Sequence, residues 1–148
     1  MRILFAVDIM CGPDIIFPWI AEPEKAMLWQ RDVKKGEIIE ETPEKIGITF
    51  REEMGESGNS IEMFGEITGY VQNELITFHL ESKIHTLDVS YSIVGSNYKS
   101  TVTVESIIYW KFPMNLLGMI IGGKMKKGIL KQTELEFSEL KRLCETEQ

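Results

Sequence analysis

The spacing of apolar residues along the chain predicts a strand followed by two short helices at its start. Residues 2–10 are rich in Ile, Leu, Phe and Val and predict a first strand. Gly12-Pro13-Asp14 then predicts a helix start, because proline fits the first turn of a helix. Glu22-Pro23 interrupts this helix and predicts a second short one, which continues through Met27-Leu28-Trp29.

From Val33 onward, apolar and polar residues alternate with a period of two, as is typical of strands with one face on a core. The turns between these runs, including a hairpin loop at 55–59, are too short for parallel crossovers. Neighbouring strands are therefore predicted to be antiparallel. The predicted strands are 36–40, 46–51, 60–71, 75–82, 87–93 and 98–110.

The last of these strands contains a change of phase. Its apolar positions move from Val102 and Val104 to Ile107 and Tyr109. An extra residue in one strand of a pair produces such a shift, so the pattern predicts a β-bulge near 105–106.

A single long helix is predicted at the end of the sequence. It begins at Pro113 and extends for about 30 residues, or roughly 45 Å at ~1.5 Å per residue. Apolar residues recur at steps of three or four along one side, as expected for a helix that packs on a core. This stripe consists of Met114, Leu117, Ile121, Met125, Ile129, Thr133, Phe137, Leu140 and Cys144.

The order of these elements predicts an α+β fold. A curved antiparallel β-sheet of roughly six to seven strands would wrap around the long C-terminal helix, with two short helices after the first strand. The length of 148 residues predicts one domain, spanning residues 1–148.

Glycine costs about 1 kcal/mol in a helix relative to alanine, so the four glycines of the long helix need an explanation. Close approach of the sheet and room for a ligand are two alternatives for Gly118, Gly122, Gly123 and Gly128.

Charge and composition narrow the classes of function. A net charge of −7 argues against nucleic-acid binding, which selects for basic surfaces. A local cluster of Lys124, Lys126, Lys127 and Lys131 is either a solvated helix face or a contact for an anionic group. No apolar run approaches the ~20 residues of a membrane span, and the apolar start is too short for a signal peptide. We therefore predict a cytoplasmic protein, with its two cysteines reduced.

The sequence contains few candidate catalytic or metal-binding residues. Metal sites take three or four His, Cys, Asp or Glu ligands at compact spacing, and the sequence shows no such group, so no metal and no cofactor are predicted. His79 is expected to face solvent if Phe78 points inward, and His85 is expected in a surface turn. The adjacent carboxylates Glu40-Glu41 and Glu52-Glu53 point to opposite sides of a strand and are interpreted as solvated faces.

The whole pattern resembles a known superfamily. The residues that carry the likeness are the first strand, the Gly-Pro-Asp helix start with Trp19 and Ile20, the 65–80 strand pair, and 100–104 before the terminal helix. This set resembles the helix-grip (SRPBCC) superfamily of START lipid-transfer domains, Bet v 1-like proteins and polyketide cyclase/dehydrase-like proteins. The resemblance covers nearly the whole chain.

The resemblance implies a hydrophobic pocket between the concave sheet and the final helix. In that superfamily the pocket holds sterols, phospholipids, polyketides, quinones or plant hormones, and only some members are enzymes. We therefore predict that this chain binds or transports a small hydrophobic ligand, as a monomer or homodimer.

The side chains predicted to face this pocket are apolar or carry one polar group. Met63, Met119 and Met125 would provide adaptable apolar surface, although each could equally fill an ordinary core. Tyr91 or Tyr109 could orient a ligand carbonyl through its hydroxyl, or bond a backbone group instead. The predicted ligand-binding residues are Phe50, Met63, Ile67, Phe78, Tyr91, Tyr109, Leu117, Ile120, Ile121 and Met125.

Two alternative functions remain open. An enzyme of the polyketide cyclase/dehydrase type would need a buried ionisable group with room for substrate, and the sequence shows none. A membrane-surface or protein-partner module would use the apolar segment Met114–Ile121 and the lysines that follow it. That alternative is favoured if this helix face is exposed. Catalytic residues are not predicted.

Overall fold

The computed structural model of the protein describes residues 1–31, 33–55 and 60–146. Of the predicted 55–59 hairpin loop, Gly55 is described and residues 56–59 lie outside the described residues. The strands are β1 (Arg2–Ile9), β2 (Val33–Glu40), β3 (Thr49–Met54), β4 (Ile61–Val71), β5 (Leu75–Glu81), β6 (His85–Gly95) and β7 (Ser100–Trp110). The helices are α1 (Pro13–Ala21), α2 (Pro23–Ala26) and α3 (Met114–Thr146).

The strands form one antiparallel sheet with the order β1-β7-β6-β5-β4-β3-β2. All neighbours except β1 and β7 are consecutive in sequence, which the short turns dictate. The predicted α+β class is confirmed: a seven-stranded antiparallel sheet, two short helices after the first strand and a long C-terminal helix. Register shifts occur between β2 and β3 and between Ile67 and Gly69 in β4.

The bulge predicted near 105–106 is wrong. β7 pairs without a register shift with both β1 and β6, so its alternation continues unbroken to its end. The inward phase set by Val102 and Val104 therefore continues to Ile108, and Tyr109 points outward with 57% of its surface exposed.

Two short helices close one side of the sheet. α1 begins at Pro13 after an extended Gly12 and buries Ile16 and Phe17. After α2, the chain returns through Trp29, whose indole Nε1 donates a 2.8 Å hydrogen bond to the carbonyl oxygen of Trp19. This bond lets a polar ring atom lie in the apolar core without an unsatisfied donor.

α3 is a helix of 33 residues with a break in its regular geometry at Ile121, where φ is −118° and ψ is 15°. We call residues 114–128 its N-terminal half and residues 129–146 its C-terminal half. The buried residues of the helix all lie in the C-terminal half, and they are Phe137, Leu140 and Cys144. None of the described helices is long and apolar enough to cross a membrane.

Both cysteines are buried as thiols. The Cys11 thiol donates a hydrogen bond to the carbonyl oxygen of Cys144, with a distance of 3.1 Å. Burial raises the pKa of the Cys144 thiol to about 12, so the reactive thiolate is disfavoured. The contact ties α3 to the segment that follows β1.

Candidate functional site

A cavity of about 730 Å³ lies between the concave face of the sheet, α2 and the C-terminal half of α3. From α3, the lining includes Ile129, Thr133 and Phe137. The lining extends to residues of β2 such as Ile38, which is 42% exposed, so the cavity opens to solvent on that side. A volume of this size matches the range of small-molecule sites in proteins.

Aromatic rings form a continuous series across the deep part of the cavity. The ring of Phe50 lies 5.7 Å from that of Phe78, which lies 6.3 Å from that of Tyr91. Tyr91 and Trp29 both contact Phe137 of α3, at 6.3 and 5.9 Å between ring centroids. Most of these pairs are edge-to-face, an arrangement that stabilises aromatic packing beyond its buried area. The series fixes the distance between the sheet and the C-terminal half of α3.

Half of the predicted ligand-binding residues line this cavity. They lie on β3, β4, β5 and β6, at the inward positions that the two-residue alternation assigns to each strand. These residues are Phe50, Met63, Ile67, Phe78 and Tyr91. Their contact with a ligand stays a prediction.

The other half lie away from the cavity, for two physical reasons. Tyr109 points outward because β7 has no bulge. The remaining four belong to the N-terminal half of α3, which does not contribute to the cavity lining. Leu117, Ile120 and Ile121 are 43%, 82% and 38% exposed, and Met125 does not line the cavity. Met119, also predicted to face inward, is 84% exposed.

Of the two tyrosines predicted to face the pocket, Tyr91 lines the cavity, where its hydroxyl is a hydrogen-bond donor among mostly apolar side chains. The side chain of Gln30, another lining residue, lies near the Tyr91 hydroxyl and acts to lower its pKa. Burial raises the pKa of this hydroxyl, and the nearby carboxylates of Glu136 and Glu52 raise it further. Tyr91 therefore stays protonated and can orient a ligand oxygen, but it cannot act as a base near neutral pH.

Glu52 lies in the cavity wall, which corrects the expectation of a solvated face. It lies on β3 between the lining residues Phe50 and Met54. No hydrogen bond or ion pair joins its carboxyl group to another described residue. Burial raises the pKa of Glu52 from 4.5 to about 7, because the charged form loses water without gaining a partner. The chain thus holds an ionisable group beside space for a ligand.

The signal for Glu52 was present in the sequence. Phe50 was predicted to face the pocket, and residues two apart on a strand face the same side. Glu52 follows Phe50 by two positions, whereas its neighbour Glu53 faces outward and accepts a hydrogen bond from Ser60 Oγ. The two glutamates were predicted to face opposite sides of the strand, but both were interpreted as solvated, and this left Glu52 out of the predicted pocket.

The two histidines differ in their surroundings. His79 is partly exposed on the outer face, as predicted, with Nδ1 2.7 Å from Asp88 Oδ1, and this hydrogen bond raises its pKa. His85 is buried rather than in a surface turn: it begins β6, lines the cavity, and stacks on Trp110 at 5.0 Å. Its Nδ1 lies 2.6 Å from Ser82 Oγ, and burial lowers its pKa.

Ser82 holds the turn before β6. Its Oγ accepts hydrogen bonds from the backbone N–H groups of Ile84 and His85, so the hydroxyl organises the turn.

Among residues 1–31, 33–55 and 60–146, no three histidine, cysteine, aspartate or glutamate side chains are grouped as a metal would require.

Comparison with solved structures places this architecture among known proteins. A protein from Thermus thermophilus matches with a TM-score of 0.81 at 11% identity, over 97% of each chain. A START superfamily protein from Mycobacterium smegmatis matches with a TM-score of 0.81 at 16% identity, over 99% of each chain. The Zhui aromatase/cyclase from Streptomyces sp. R1128 matches with a TM-score of 0.72 at 10% identity, over 97% of this chain and 95% of that chain.

Sequence comparison alone finds no such relation: no protein-family model and no curated protein matches the chain. The TM-scores of 0.72–0.81 show a shared fold, whereas identities of 10–16% carry no information on which ligand each protein binds. The architecture of the chain superposes on these structures over 97–99% of its length. The chain therefore has the helix-grip fold of the START/SRPBCC superfamily.

Proposed function

We propose that the protein binds or transports a small hydrophobic ligand in the cavity between the sheet and the C-terminal half of α3. The observation that carries this proposal is the cavity itself, about 730 Å³ in volume and lined mainly by apolar side chains. Burial of apolar surface is the main source of affinity in such sites. A START superfamily protein and an aromatase/cyclase share the fold, which is typical of proteins that bind hydrophobic ligands.

Two polar groups in the cavity wall limit the chemical class of ligand that would fit there. Tyr91 offers a hydroxyl, and Glu52 offers a carboxyl group that is protonated in a large part of the molecules near neutral pH. Two such donors match a ligand with a carbonyl or hydroxyl oxygen at one end of an apolar body. A polyketide-like molecule, a quinone or a lipid with a small polar end fits this description.

Native mass spectrometry of the purified protein, followed by organic extraction, tests the proposal directly. We expect a bound apolar molecule that organic solvent releases. A mass equal to that of the chain alone, together with no binding of an apolar fluorescent probe, would contradict the proposal.

A matched pair of variants locates the binding. Leu87 is a lining residue of β6, and Leu87→Trp would fill part of the cavity. Leu4 on β1 is 50% exposed and outside the lining, so Leu4→Trp adds the same ring elsewhere. We expect Leu87→Trp to lose the bound molecule and Leu4→Trp to retain it, with circular dichroism verifying that both fold. Equal retention by both would place binding outside the cavity.

A second candidate function, acid–base catalysis, is favoured by the ionisable group in the cavity wall. Glu52 is a carboxyl group beside ligand space with a pKa of about 7, and a group that titrates near the working pH can both accept and donate a proton. In a polyketide cyclase-like reaction, Glu52 would remove a proton from a carbon between two carbonyl groups, and Tyr91 would donate a hydrogen bond to the resulting enolate oxygen.

Deuterium exchange at the central carbon of a β-diketone tests this second candidate. NMR should detect exchange above the buffer rate with the intact protein and at the buffer rate with Glu52→Gln. The control is Glu53→Gln, which alters the outward-facing neighbour on the same strand. Exchange that is equally fast in Glu52→Gln would remove Glu52 from any catalytic role and leave the binding function alone.

Three further expectations stay proposals. They are a cytoplasmic location, a monomeric or homodimeric state, and a single domain spanning residues 1–148. Size-exclusion chromatography with light scattering measures the second of these, and limited proteolysis measures the third.

A further inference from the structure

The N-terminal half of α3 exposes large apolar side chains that no other described part of the chain covers. Met119 and Ile120 are 84% and 82% exposed, and Leu116 is 50% exposed. Phe112, just before the helix, is 78% exposed. A Cβ atom added at Gly122 would meet no atom within 4 Å, so the helix stands clear of the sheet there. A concentration of exposed apolar surface of this kind marks an interaction site.

Charge separates this region from the rest of the protein. Between Glu105 and Glu134 the sequence contains five lysines and no acidic residue, whereas the whole chain carries a net charge of −7. Three of these lysines, Lys124, Lys126 and Lys127, are exposed within the roughly two helical turns that follow Ile120. Apolar side chains beside a cluster of lysines match the boundary of an anionic bilayer, with acyl chains below and negative head groups above.

The position of this surface relates it to the cavity. Trp110 and Ile129 both line the cavity, and they lie just before and just after the N-terminal half of α3 in the chain. Trp110 also lies beside the helix, because a Cβ atom added at Gly118 would be 3.8 Å from its Cδ1 atom. The exposed surface therefore borders one end of the cavity.

We propose that the N-terminal half of α3 docks on an anionic lipid bilayer, with Met119 and Ile120 entering the acyl region and Lys124, Lys126 and Lys127 contacting the head groups. Docking in this way brings one end of the cavity to the membrane, from which an apolar ligand can be taken up or to which it can be released. The docking itself requires no ligand, so it stands or falls separately from the proposed binding function.

Co-sedimentation with vesicles tests the docking. One set of vesicles contains phosphatidylcholine and phosphatidylglycerol, and the other contains phosphatidylcholine alone. We expect the intact protein to bind the anionic vesicles, and the triple variant K124E/K126E/K127E to bind them at least about tenfold more weakly. Added salt should weaken the binding, since it screens the lysines. The double variant Met119→Ser/Ile120→Ser should weaken binding as well, because it removes the side chains that enter the acyl region.

Two control variants make the result specific. Val94 and Tyr98 are 76% and 80% exposed at the opposite end of the sheet, and V94S/Y98S removes apolar surface there. Lys34 and Lys35 are exposed on β2, and K34E/K35E reverses charge without touching α3. Both control variants should bind anionic vesicles as the intact protein does. Three outcomes would overturn the proposal: no binding to anionic vesicles, equal loss in test and control variants, or a dimer that Met119→Ser/Ile120→Ser separates while vesicle binding is absent.

Discussion

The two halves of α3 have similar apolar patterns and opposite surroundings. In the C-terminal half, the ring of Phe137 lies 5.5 Å from that of Phe5 and 5.9 Å from that of Trp29, and its exposure is 1%. Cys144 is fully buried against Cys11. In the N-terminal half, large apolar side chains project into solvent.

Polar contacts reinforce the difference. Lys141 Nζ donates a hydrogen bond to the backbone carbonyl oxygen of Asp8, and the Met10 N–H donates one to the carboxylate of Glu145. Both bonds join the C-terminal half of α3 to β1 and the residue that follows it. The irregular backbone at Ile121 lies in the N-terminal half. Among the described residues, no side chain of that half forms a hydrogen bond with the sheet. A helical apolar stripe thus identifies which face is apolar, and only the tertiary structure shows whether anything covers that face.

The largest effect expected from this comparison comes from truncating one apolar residue in each half. Phe137→Ala should lower the free energy of unfolding by about 3–5 kcal/mol, because it opens a hole among packed rings. Ile120→Ala should change it by less than about 0.5 kcal/mol, because Ile120 is 82% exposed. Urea unfolding followed by tryptophan fluorescence and circular dichroism measures both values.

A large loss in Ile120→Ala would show that the N-terminal half of α3 is covered by something in solution, and the contrast between the halves would then be incorrect. A small loss in Phe137→Ala would show instead that the cavity collapses readily around the missing ring.

The fold was predictable because it depends on local patterns. Apolar composition marked the first strand and alternation marked the other six, to within a few residues, and short turns required antiparallel neighbours. Tertiary features were harder to predict. The outward position of Tyr109 depends on unbroken register with β1 and β6, and that register is set by two other strands rather than by β7 itself. The burial of His85 depends on stacking against Trp110, which is distant in sequence.

The candidate site was predictable on the sheet and not on the helix. Inward strand positions such as Phe50 and Phe78 follow from a period of two, and the structure places them in the cavity wall. Leu117 and Ile120 have the same apolar character, but whether they face the cavity depends on the path of α3, which changes at Ile121. Glu52 was interpreted as part of a solvated face because its charge was given more weight than its position.

The second prediction concerns the cavity that the C-terminal half of α3 closes. The folded-state pKa of Glu52 is about 7 and its ordinary value is 4.5, so the folded protein holds this proton more tightly than the unfolded chain. The stabilisation is complete below the unfolded-state pKa and is lost as the pH rises through about 7. The free energy of unfolding should therefore fall by up to about 3 kcal/mol over this interval, and Glu52→Gln should remove that fall.

Urea unfolding of the wild type, Glu52→Gln and Glu53→Gln at about pH 5 and about pH 8 measures the effect. Other groups also titrate, so the quantity of interest is the difference between each variant and the wild type. Glu53→Gln should retain the wild-type dependence. An unchanged pH dependence in Glu52→Gln would show that water reaches the carboxylate and that the cavity is wetter than its lining implies.

The smallest expected effect concerns the exposed N-terminal half of α3, and it is an increase rather than a decrease in the free energy of unfolding. Gly128 is exposed, and a Cβ atom added there would meet no atom within 4 Å, so close approach of the sheet does not explain this glycine. Gly128→Ala should raise the free energy of unfolding by about 0.5–1 kcal/mol, because alanine loses less backbone entropy in a helix. Gly65→Ala in β4 is the contrasting change: its Cβ would lie 2.3 Å from the ring of Phe50 and 2.8 Å from Leu80, and stability should fall. Urea unfolding of the two variants should thus give shifts of opposite sign. A loss of stability in Gly128→Ala would mean that the glycine is needed for close contact, and therefore that the N-terminal half of α3 is not bare in solution.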